Sequence, residues 1–239
     1  MGSMLKSQDI IQNTIAYLHQ QKLYGNELFL RKPLTEDKSV DHTQWKNLYE
    51  LESAIQSCKK CRLSQNRTNT VMGAGDPESN VMIISDTPAL IEHKDEKFKL
   101  LTKILAAIGF EREEVYVCSM LKCHLPSERN PVKDEIHSCI PFLLSQIELI
   151  TPKMILLLGK SVGNVLLRNK KNVMELRSNN YYKMKDSYVY VTYHPAAIIK
   201  SNDPEKKKKK RIVWEDVQQL RHMYDKLVGD KPKWQQKRK

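Results

Sequence analysis

The sequence has no hydrophobic run long enough to cross a membrane. Its most apolar stretch, residues 154–159, is far shorter than the roughly 20 residues that a membrane-spanning helix needs. The N-terminus lacks the continuous apolar region of a secretion signal, and Lys6 stands where a myristoylation signal requires Ser or Thr. Residues 1–3 resemble a cloning remnant that precedes a native start at Met4. We therefore expect a cytoplasmic protein and not a secreted one.

Glycine and proline are scarce, with eight and ten among 239 residues, which excludes collagen-like and low-complexity chains. Hydrophobic residues make up 40% and charged residues 28% of the chain, a composition typical of globular proteins. The length fits one domain of ordinary size with extensions. We predict an N-terminal helix and linker over residues 1–42, a main domain over 43–228, and a basic, disordered tail over 229–239.

Acidic residues are outnumbered, since 28 Asp and Glu residues face 40 Lys and Arg residues and the net charge is +12. This balance favours a polyanionic partner, nucleic acid before an anionic membrane, although solubility alone also explains it. Residues 206–211 are six consecutive basic residues at the start of a predicted helix. Such a stretch is usually a solvated face, but it also suits the phosphates of a nucleic acid.

Cysteine is infrequent, and without a secretion signal the five cysteines are not expected to form structural disulfides. Cys58 and Cys61 form a Cys-x-x-Cys motif, and Cys123 and Cys139 form a second pair with fifteen residues between them. Four thiolates suit either tetrahedral zinc or an iron–sulfur cluster, and the spacing alone slightly favours zinc. Simple burial of these thiols is the remaining alternative. We assign Cys118 to the core of a strand.

Short apolar runs alternate with segments of helical periodicity along the main domain. Strands are predicted at residues 81–85, 115–119, 154–159 and 188–193. Helices are predicted at residues 4–23, 45–55, 98–108, 134–150 and 203–227, with a short one after the third strand. The strands are apolar enough to be buried on both faces. The pattern therefore predicts an α/β fold with a parallel sheet and helices on both sides.

Polar segments follow three of the predicted strands, at residues 85–88, 119–123 and 194–195. Ligands of parallel α/β sheets bind beyond the carboxyl ends of the strands. At that edge Asp86 could recognise a polar group or position water, and His194 could donate a hydrogen bond. The plainer alternatives are a helix-capping role for Asp86 and an exposed loop position for His194.

Four stretches of the chain match, in order, the motifs of one known family. Residues 58–63 carry the Cys-x-x-Cys-Arg-Leu opening, and residues 121–123 and 139–143 carry the second cysteine pair. Residues 192–197 read Thr-Tyr-His-Pro-Ala-Ala. Over about residues 55–228, the chain resembles the iron–sulfur uracil-DNA glycosylases, the family-4 branch of the uracil-DNA glycosylase superfamily.

The resemblance implies a three-layer αβα sandwich around a four-stranded parallel sheet, to which the N-terminal helix is an extension. It implies a [4Fe–4S] cluster in place of zinc, with a structural role at the DNA-binding face. The implied ligands of this cluster are Cys58, Cys61, Cys123 and Cys139. It also implies a monofunctional enzyme of base excision repair that removes uracil from single- or double-stranded DNA in the nucleoid. Since no coiled-coil heptads are present, we expect a monomer.

The resemblance also implies roles for single residues. His194 would stabilise the leaving uracil anion, while Asp86 would orient water or stabilise the cationic sugar. Phe98 or His93 would supply the ring that stacks on the base. The predicted substrate-binding residues are Ser85, Thr87, Pro88, Ala89, Phe98 and Ser119. The predicted DNA phosphate contacts are Lys122, Lys200, Lys206, Lys207, Lys208 and Arg211.

The chain departs from the family pattern in the predicted pocket. The first family motif reads Gly-Glu-Ala-Pro-Gly, whereas residues 85–89 read Ser-Asp-Thr-Pro-Ala, so Asp86 is one methylene shorter than the family Glu. Thr87 stands where other branches of the superfamily carry a water-activating Asp, and Ser119 replaces the Asn that pairs with uracil. Two alternatives therefore stay open: a cluster-containing DNA-binding protein that does not cut, and a glycosylase for another base such as hypoxanthine.

Overall fold

The computed structural model describes residues 45–91, 95–126 and 129–229. The predicted N-terminal helix and linker, and residues 230–239 of the predicted tail, lie outside these ranges. Within them, no helix is both long and apolar enough to cross a membrane.

One five-stranded sheet forms the centre of the described fold. The strands are β1 (Val81–Ser85), β2 (Tyr116–Ser119), β3 (Met154–Leu158), β4 (Tyr182–Met184) and β5 (Ser187–Thr192). The helices are α1 (Leu48–Gln56), α2 (Leu63–Asn66), α3 (Glu96–Ala107), α4 (Lys133–Ile150), α5 (Lys160–Leu166), α6 (Val173–Arg177), α7 (Pro195–Ile199) and α8 (Asp203–Leu227). Two short 3₁₀ turns cover Pro88–Leu90 and Arg112–Glu114. The strand order is β2-β1-β3-β5-β4.

The strands β1, β2, β3 and β5 run parallel to one another, which confirms the α/β class. The sheet has one strand more than predicted, because β4 pairs antiparallel with β5 through a short hairpin. The strand β4 has only three residues, none of them buried. It therefore lacks the buried apolar run by which the other strands were predicted, and it lies at the edge of the sheet.

Side chains of the central strands alternate between two helical layers. Met82 and Ile84 of β1 pack into the core formed with α4, α5 and α6. Val81 and Ile83 pack into the opposite core, formed with α3, α7 and α8. All five residues of β1 are buried, as a parallel strand covered on both faces requires. This arrangement is the three-layer αβα sandwich that the resemblance implies.

A buried ionic group fixes α8 to the end of β5. Asp216 of α8 is 5% exposed and accepts hydrogen bonds from Thr192 Oγ1 at 2.6 Å and from Arg177 Nε at 2.9 Å. Burial raises the pKa of Asp216, and the hydrogen bonds from Arg177 and Thr192 oppose that shift. Because Thr192 is the last residue of β5, the group also holds the strand end that precedes His194.

Replacing Arg177 by Met should lower the free energy of unfolding by about 3–5 kcal/mol, because the Asp216 carboxylate would stay buried without its cation. The loss should shrink in mild acid, where a proton neutralises that carboxyl group. The matched control is Glu215→Gln, since Glu215 is the half-exposed second partner of Arg177. This substitution should change the free energy of unfolding by less than about 0.5 kcal/mol. Urea unfolding of both variants at neutral and mildly acidic pH measures the difference, and equal losses would contradict the assignment.

Candidate active site and cysteine cluster

The carboxyl ends of the parallel strands meet at one edge of the sheet. Ser85, the last residue of β1, lies in register with Ser119, the last residue of β2. Thr192 of β5 lies in register with Leu158, the last residue of β3. The polar segments that follow these strands are therefore brought to the same edge, where the sequence analysis places the site.

Asp86 and His194 face each other across this edge. His194 Nε2 lies 3.9 Å from Asp86 Oδ1, beyond hydrogen-bond distance, and the two side chains are 15% and 25% exposed. His194 Nδ1 accepts a hydrogen bond from the backbone N–H of Ala196 at 3.1 Å. In the neutral imidazole the proton is therefore on Nε2, which has no hydrogen-bond partner among the residues that the structure describes.

The His194 imidazole is held in its neutral form. Burial lowers the pKa of His194, and the nearby Asp86 carboxylate opposes the shift. A neutral imidazole with its proton on Nε2 is a hydrogen-bond donor. Such a fixed donor is suited to an oxygen atom on which negative charge develops during a reaction.

Gly159, the residue after β3, leaves room for His194. Its φ is +92°, a conformation that glycine adopts far more readily than other residues. A Cβ at this position would lie 3.3 Å from His194 Cβ, closer than ordinary van der Waals contact. In the sequence Gly159 is recognisable only as the end of a strand, because its contact with His194 links residues far apart in the chain.

Two serines of the predicted pocket are buried, and their hydroxyls are bonded within the protein. Ser85 Oγ donates to the Thr87 carbonyl at 2.7 Å, and Ser119 Oγ donates to the Leu121 carbonyl at 2.6 Å. Both side chains are 0% exposed. The 3₁₀ turn Pro88–Leu90 follows, with Thr87 and Ala89 partly exposed beside the buried Pro88.

Phe98 lies in the first turn of α3 and is 9% exposed. The guanidinium carbon of Arg112 lies 5.7 Å from the centre of its ring. The alternative stacking residue, His93, lies outside the described residues. The choice between Phe98 and His93 as the base-stacking residue stays a prediction.

One of the predicted phosphate contacts is wrong. Lys122 is 1% exposed, and its Nζ donates to the Ser119 carbonyl at 2.7 Å and to Gln146 Oε1, so it cannot contact DNA. The charge of a lysine gives no sign in the sequence that its side chain is buried. The other predicted phosphate contacts are fully or partly exposed, as contact with DNA requires: Lys200, Lys206, Lys207, Lys208 and Arg211.

Lys209 of the same basic run is turned toward the site. Its Nζ donates to Ser201 Oγ at 2.7 Å, and it lies 5.7 Å from the centre of the Tyr193 ring. Tyr193 directly precedes His194 in the chain. Helix α8 therefore brings Lys209 against the turn that carries His194. The sequence does not show which of the six basic residues takes this position, because all six carry the same charge.

Four of the five cysteines surround one apolar cluster formed by α1, α2, α4 and the chain after β2. Cys123 and Cys139 are buried members of this cluster, and Cys58 and Cys61 pack against it. All five cysteines are free thiols. Cys118 is fully buried within β2, which confirms its assignment to the core.

The surroundings of Cys123 and Cys139 suit thiolate ligands, although the described residues contain no group of three or more His, Cys, Asp or Glu side chains arranged to hold a metal ion. The backbone N–H of Lys122 donates to Cys139 Sγ at 3.3 Å, and Arg67 Nη1 donates to Cys123 Sγ at 3.4 Å. Burial raises the pKa of the Cys139 thiol to about 11. A bound cation must therefore displace the thiol proton, while the N–H donors stabilise the resulting thiolate.

The family model of the uracil DNA glycosylase superfamily matches residues 72–218. The chain belongs to the uracil-DNA glycosylase superfamily. The matched region runs from before β1 into α8 and contains Asp86, His194, Cys123 and Cys139.

Several proteins named type-4 uracil-DNA glycosylase are similar to most of this chain. That of Sulfurisphaera tokodaii is 35% identical over 191 residues, which cover 74% of this chain and 84% of the relative. That of Thermotoga maritima is 32% identical over 174 residues, covering 70% and 89%. That of Archaeoglobus fulgidus is 32% identical over 170 residues, covering 64% and 83%. The resemblance to the family-4 branch of the superfamily is confirmed.

In this member of the superfamily, Glu135 ties two cysteine segments together. It is fully buried on α4, one turn before Cys139, and accepts a hydrogen bond at 3.0 Å from Arg62, the residue after Cys61. Arg129 donates to both carboxylate oxygens of Glu135, at 2.6 and 2.9 Å. These hydrogen bonds, that of Arg129 first, lower the pKa of Glu135 to about 2. Glu135 is not predicted as a site residue from the sequence, because nothing in the chain order pairs it with Arg62.

Acid should weaken this ionic group. Since the pKa of Glu135 is lower in the folded than in the unfolded state, its contribution to stability is complete above about pH 4 and is lost as the pH falls toward 2. Glu135→Gln should lower the free energy of unfolding at neutral pH and flatten its dependence on pH in that window. The control Glu148→Gln changes another carboxylate of α4, which is paired with Lys185. This variant should keep the wild-type pH dependence of the free energy of unfolding. Urea unfolding across this window is the measurement, and an unchanged pH dependence in Glu135→Gln would refute the assignment.

Proposed function

We propose that this protein is a uracil-DNA glycosylase that hydrolyses the bond between uracil and deoxyribose, the first step of base excision repair. The observation that carries the proposal is the pair formed by His194 and Asp86, a neutral N–H donor 3.9 Å from a carboxylate at the carboxyl edge of the sheet. Membership of the superfamily, and similarity to proteins named type-4 uracil-DNA glycosylase, support the choice of substrate.

The reaction begins with extrusion of the base from the stack, which costs a few kcal/mol and less in single-stranded DNA. The bond between C1′ of the sugar and N1 of uracil then breaks, and its electron pair leaves with the base. The base becomes an anion, while the sugar gains oxocarbenium character. Water adds its oxygen to C1′, and the proton that it releases neutralises the uracil anion, so the products are free uracil and an abasic site.

His194 and Asp86 can stabilise the two charges that develop in this reaction. The Nε2–H of His194 would donate to the uracil oxygen on which negative charge accumulates. The Asp86 carboxylate would stabilise the cationic sugar or orient the attacking water. Because His194 is neutral, it can act as a donor without also placing a full positive charge beside the oxocarbenium ion.

The basic start of α8 supports DNA as the substrate. Lys207, Lys208 and Arg211 are exposed on the helix, and Lys209 lies against the turn that carries His194. With a net charge of +12, the chain attracts polyanions at long range. We propose that phosphates of the strand contact this end of α8 while the flipped base enters the site.

We also propose that Cys58, Cys61, Cys123 and Cys139 hold a [4Fe–4S] cluster. Two observations support this proposal. The four cysteines lie around the same cluster of apolar side chains, and N–H groups donate to the sulfurs of Cys123 and Cys139. When bound, the cluster would bond four thiolates to iron and so join the Cys-x-x-Cys segment, the chain after β2 and α4. Its proposed role is structural, next to the end of β2 that contributes Ser119 to the edge of the sheet.

A second base remains a candidate because of Ser119. Its hydroxyl donates to the Leu121 carbonyl and its side chain is fully buried, so it does not supply the amide that pairs with the uracil edge in the family pattern. Hypoxanthine is therefore tested beside uracil, with the same strand and the same conditions.

Single- and double-stranded oligonucleotides with one uracil test the proposed activity, since excision leaves a site that alkali cuts. His194→Ala should reduce the rate of excision by ~10²–10³-fold, because one preorganised donor is lost. The control His222→Ala removes an exposed histidine of α8 and should cut at the wild-type rate. Undiminished cutting by His194→Ala would remove His194 from the mechanism. If only the hypoxanthine strand is cut, hypoxanthine replaces uracil as the substrate. If neither strand is cut, the proposed glycosylase activity is refuted.

Purification without oxygen tests the cluster. The wild-type protein should be brown, with broad visible absorbance and iron in the proportion that a [4Fe–4S] cluster requires. Cys139→Ser should lose most of the iron, whereas Cys118→Ala, which changes the core cysteine, should retain it. A colourless wild-type protein that carries zinc would contradict the proposal.

A further inference from the structure

We propose that a groove between α8 and the segment leading into β4 binds an unpaired base of single-stranded DNA, and that Tyr181 supplies the ring on which this base stacks. The inference deepens the proposed function, because it rests on DNA as the substrate and adds a second contact with the same strand. It involves neither His194 nor the cysteine cluster.

The groove has a volume of about 590 Å³, which is within the range of sites that hold small organic ligands. Tyr181 and Tyr190 form its aromatic part, and Gln218, Gln219 and His222 of α8 form its polar part. A planar ring beside amide and imidazole groups suits a nucleobase, which has a face for stacking and hydrogen-bonding groups along its edge.

The ring of Tyr181 is held by other rings and is still accessible. Tyr181 is 42% exposed, whereas Tyr190 is 3% exposed. The ring of Tyr181 packs edge-on against that of Tyr188, with centroids 5.0 Å apart, and its centroid lies 6.4 Å from that of Tyr190. An exposed ring that is already fixed in place can stack on a base at a low cost in conformational entropy.

The polar side chains of the groove are accessible to a ligand. Gln219 and His222 are exposed, and Gln218 is partly exposed. Within the described part of the chain, no other residue forms a hydrogen bond with these three side chains. Amide and imidazole groups can both donate and accept hydrogen bonds, so they can pair with the edges of different bases. We therefore expect a site with little preference among bases.

One exposed face of α8 joins this groove to the proposed phosphate contacts. Lys208, Arg211, Glu215 and Gln219 are exposed and follow one another at intervals of three or four residues. Residues at these intervals lie along the same face of a helix. A strand whose phosphates contact Lys208 and Arg211 is therefore led along α8 toward the groove.

Glu215 lies on this path, but cations offset its negative charge. Its carboxylate lies 3.2 Å from Arg177 Nη2 and 3.8 Å from Arg211 Nε. On the opposite side of the groove, Lys183 Nζ of β4 lies 3.1 Å from the centre of the Tyr188 ring, which packs against Tyr181.

Cations on α8 and on β4 thus flank the stacking ring. Proteins that bind single strands combine aromatic rings, on which bases stack, with positive charges that follow the backbone. This combination of charge and aromatic surface favours single-stranded DNA over an extended peptide as the occupant of the groove.

Tyr181→Ala tests the proposal with uracil-free strands, so that excision plays no part in the result. Loss of one stacked base should weaken the binding of a single-stranded oligonucleotide by roughly 5- to 100-fold. The binding of a fully paired duplex should change by less than about twofold, because its bases are already stacked on one another. Fluorescence anisotropy of labelled strands measures both affinities.

Two results of this experiment would overturn the proposal. Unchanged affinity for the single strand would exclude the ring from DNA binding and leave an extended peptide as the occupant of the groove. An equal loss of affinity for the single strand and the duplex would indicate a structural effect of the substitution.

Two control variants isolate the stacking ring. Tyr181→Phe keeps the ring and should bind the single strand as the wild type does. Tyr49→Ala removes a tyrosine of α1 that is 79% exposed, and it should also bind as the wild type does. A loss in either control as large as that in Tyr181→Ala would overturn the proposal.

The salt dependence of binding separates stacking from charge. Lys208→Gln should lower the slope of log affinity against log salt concentration by about 0.7, the contribution of one phosphate contact in a single strand. Tyr181→Ala should keep the wild-type slope, because a stacked base releases no counterions. A reduced slope in Tyr181→Ala would overturn the proposal.

Ultraviolet crosslinking of the wild-type protein to oligothymidylate provides a test that needs no variant to fold. Mass spectrometry should find the strand attached to the peptide that contains Tyr181, and crosslinks confined to other peptides would overturn the proposal. A wild-type protein that binds no DNA would refute the proposed substrate and this inference together. Release of uracil by the wild type, with unchanged single-strand binding in Tyr181→Ala, would refute this inference alone.

Discussion

The chain segment after β2 contributes both to the edge of the sheet and to the apolar cluster around which the four cysteines lie. The buried hydrogen bonds of Lys122 fix the position of this segment. The Lys122 ammonium donates to the carbonyl of Ser119 at the end of β2, and its backbone N–H donates to the sulfur of Cys139 on α4. A shift of either partner would leave a buried polar group unpaired, at a cost of about 1–3 kcal/mol. The geometry of the predicted pocket is therefore tied to that of the cysteines.

The remaining parts of the candidate site depend on the same parallel sheet. The ends of β1 and β5 place Asp86 and His194 on opposite sides of one gap, and the conformation of Gly159 allows His194 to approach β3. The bond from Thr192 to Asp216 then fixes the strand end before His194 to α8. These contacts are formed before any substrate binds. A preorganised donor of this kind is what stabilisation of a leaving anion requires.

The sequence predicts those features that depend on local periodicity. Strands buried on both faces must be short apolar runs, and α8 begins and ends where its pattern predicts, at Asp203–Leu227. The motif residues Asp86 and His194 also come together as expected. The sequence does not show partners that only folding brings together, such as Glu135 with Arg62. The burial of Lys122 was unpredictable for the same reason, because its acceptors come from distant parts of the chain.

The protein releases uracil by hydrolysis and leaves the DNA strand intact. The most direct test incubates the wild-type protein with uracil-containing DNA and measures free uracil by mass spectrometry beside the abasic sites revealed by alkali. Hydrolysis should give equal amounts of free uracil and of alkali-labile sites, with no strand break before alkali is added. DNA that is bound but releases no uracil, or a strand cut without alkali, would contradict it.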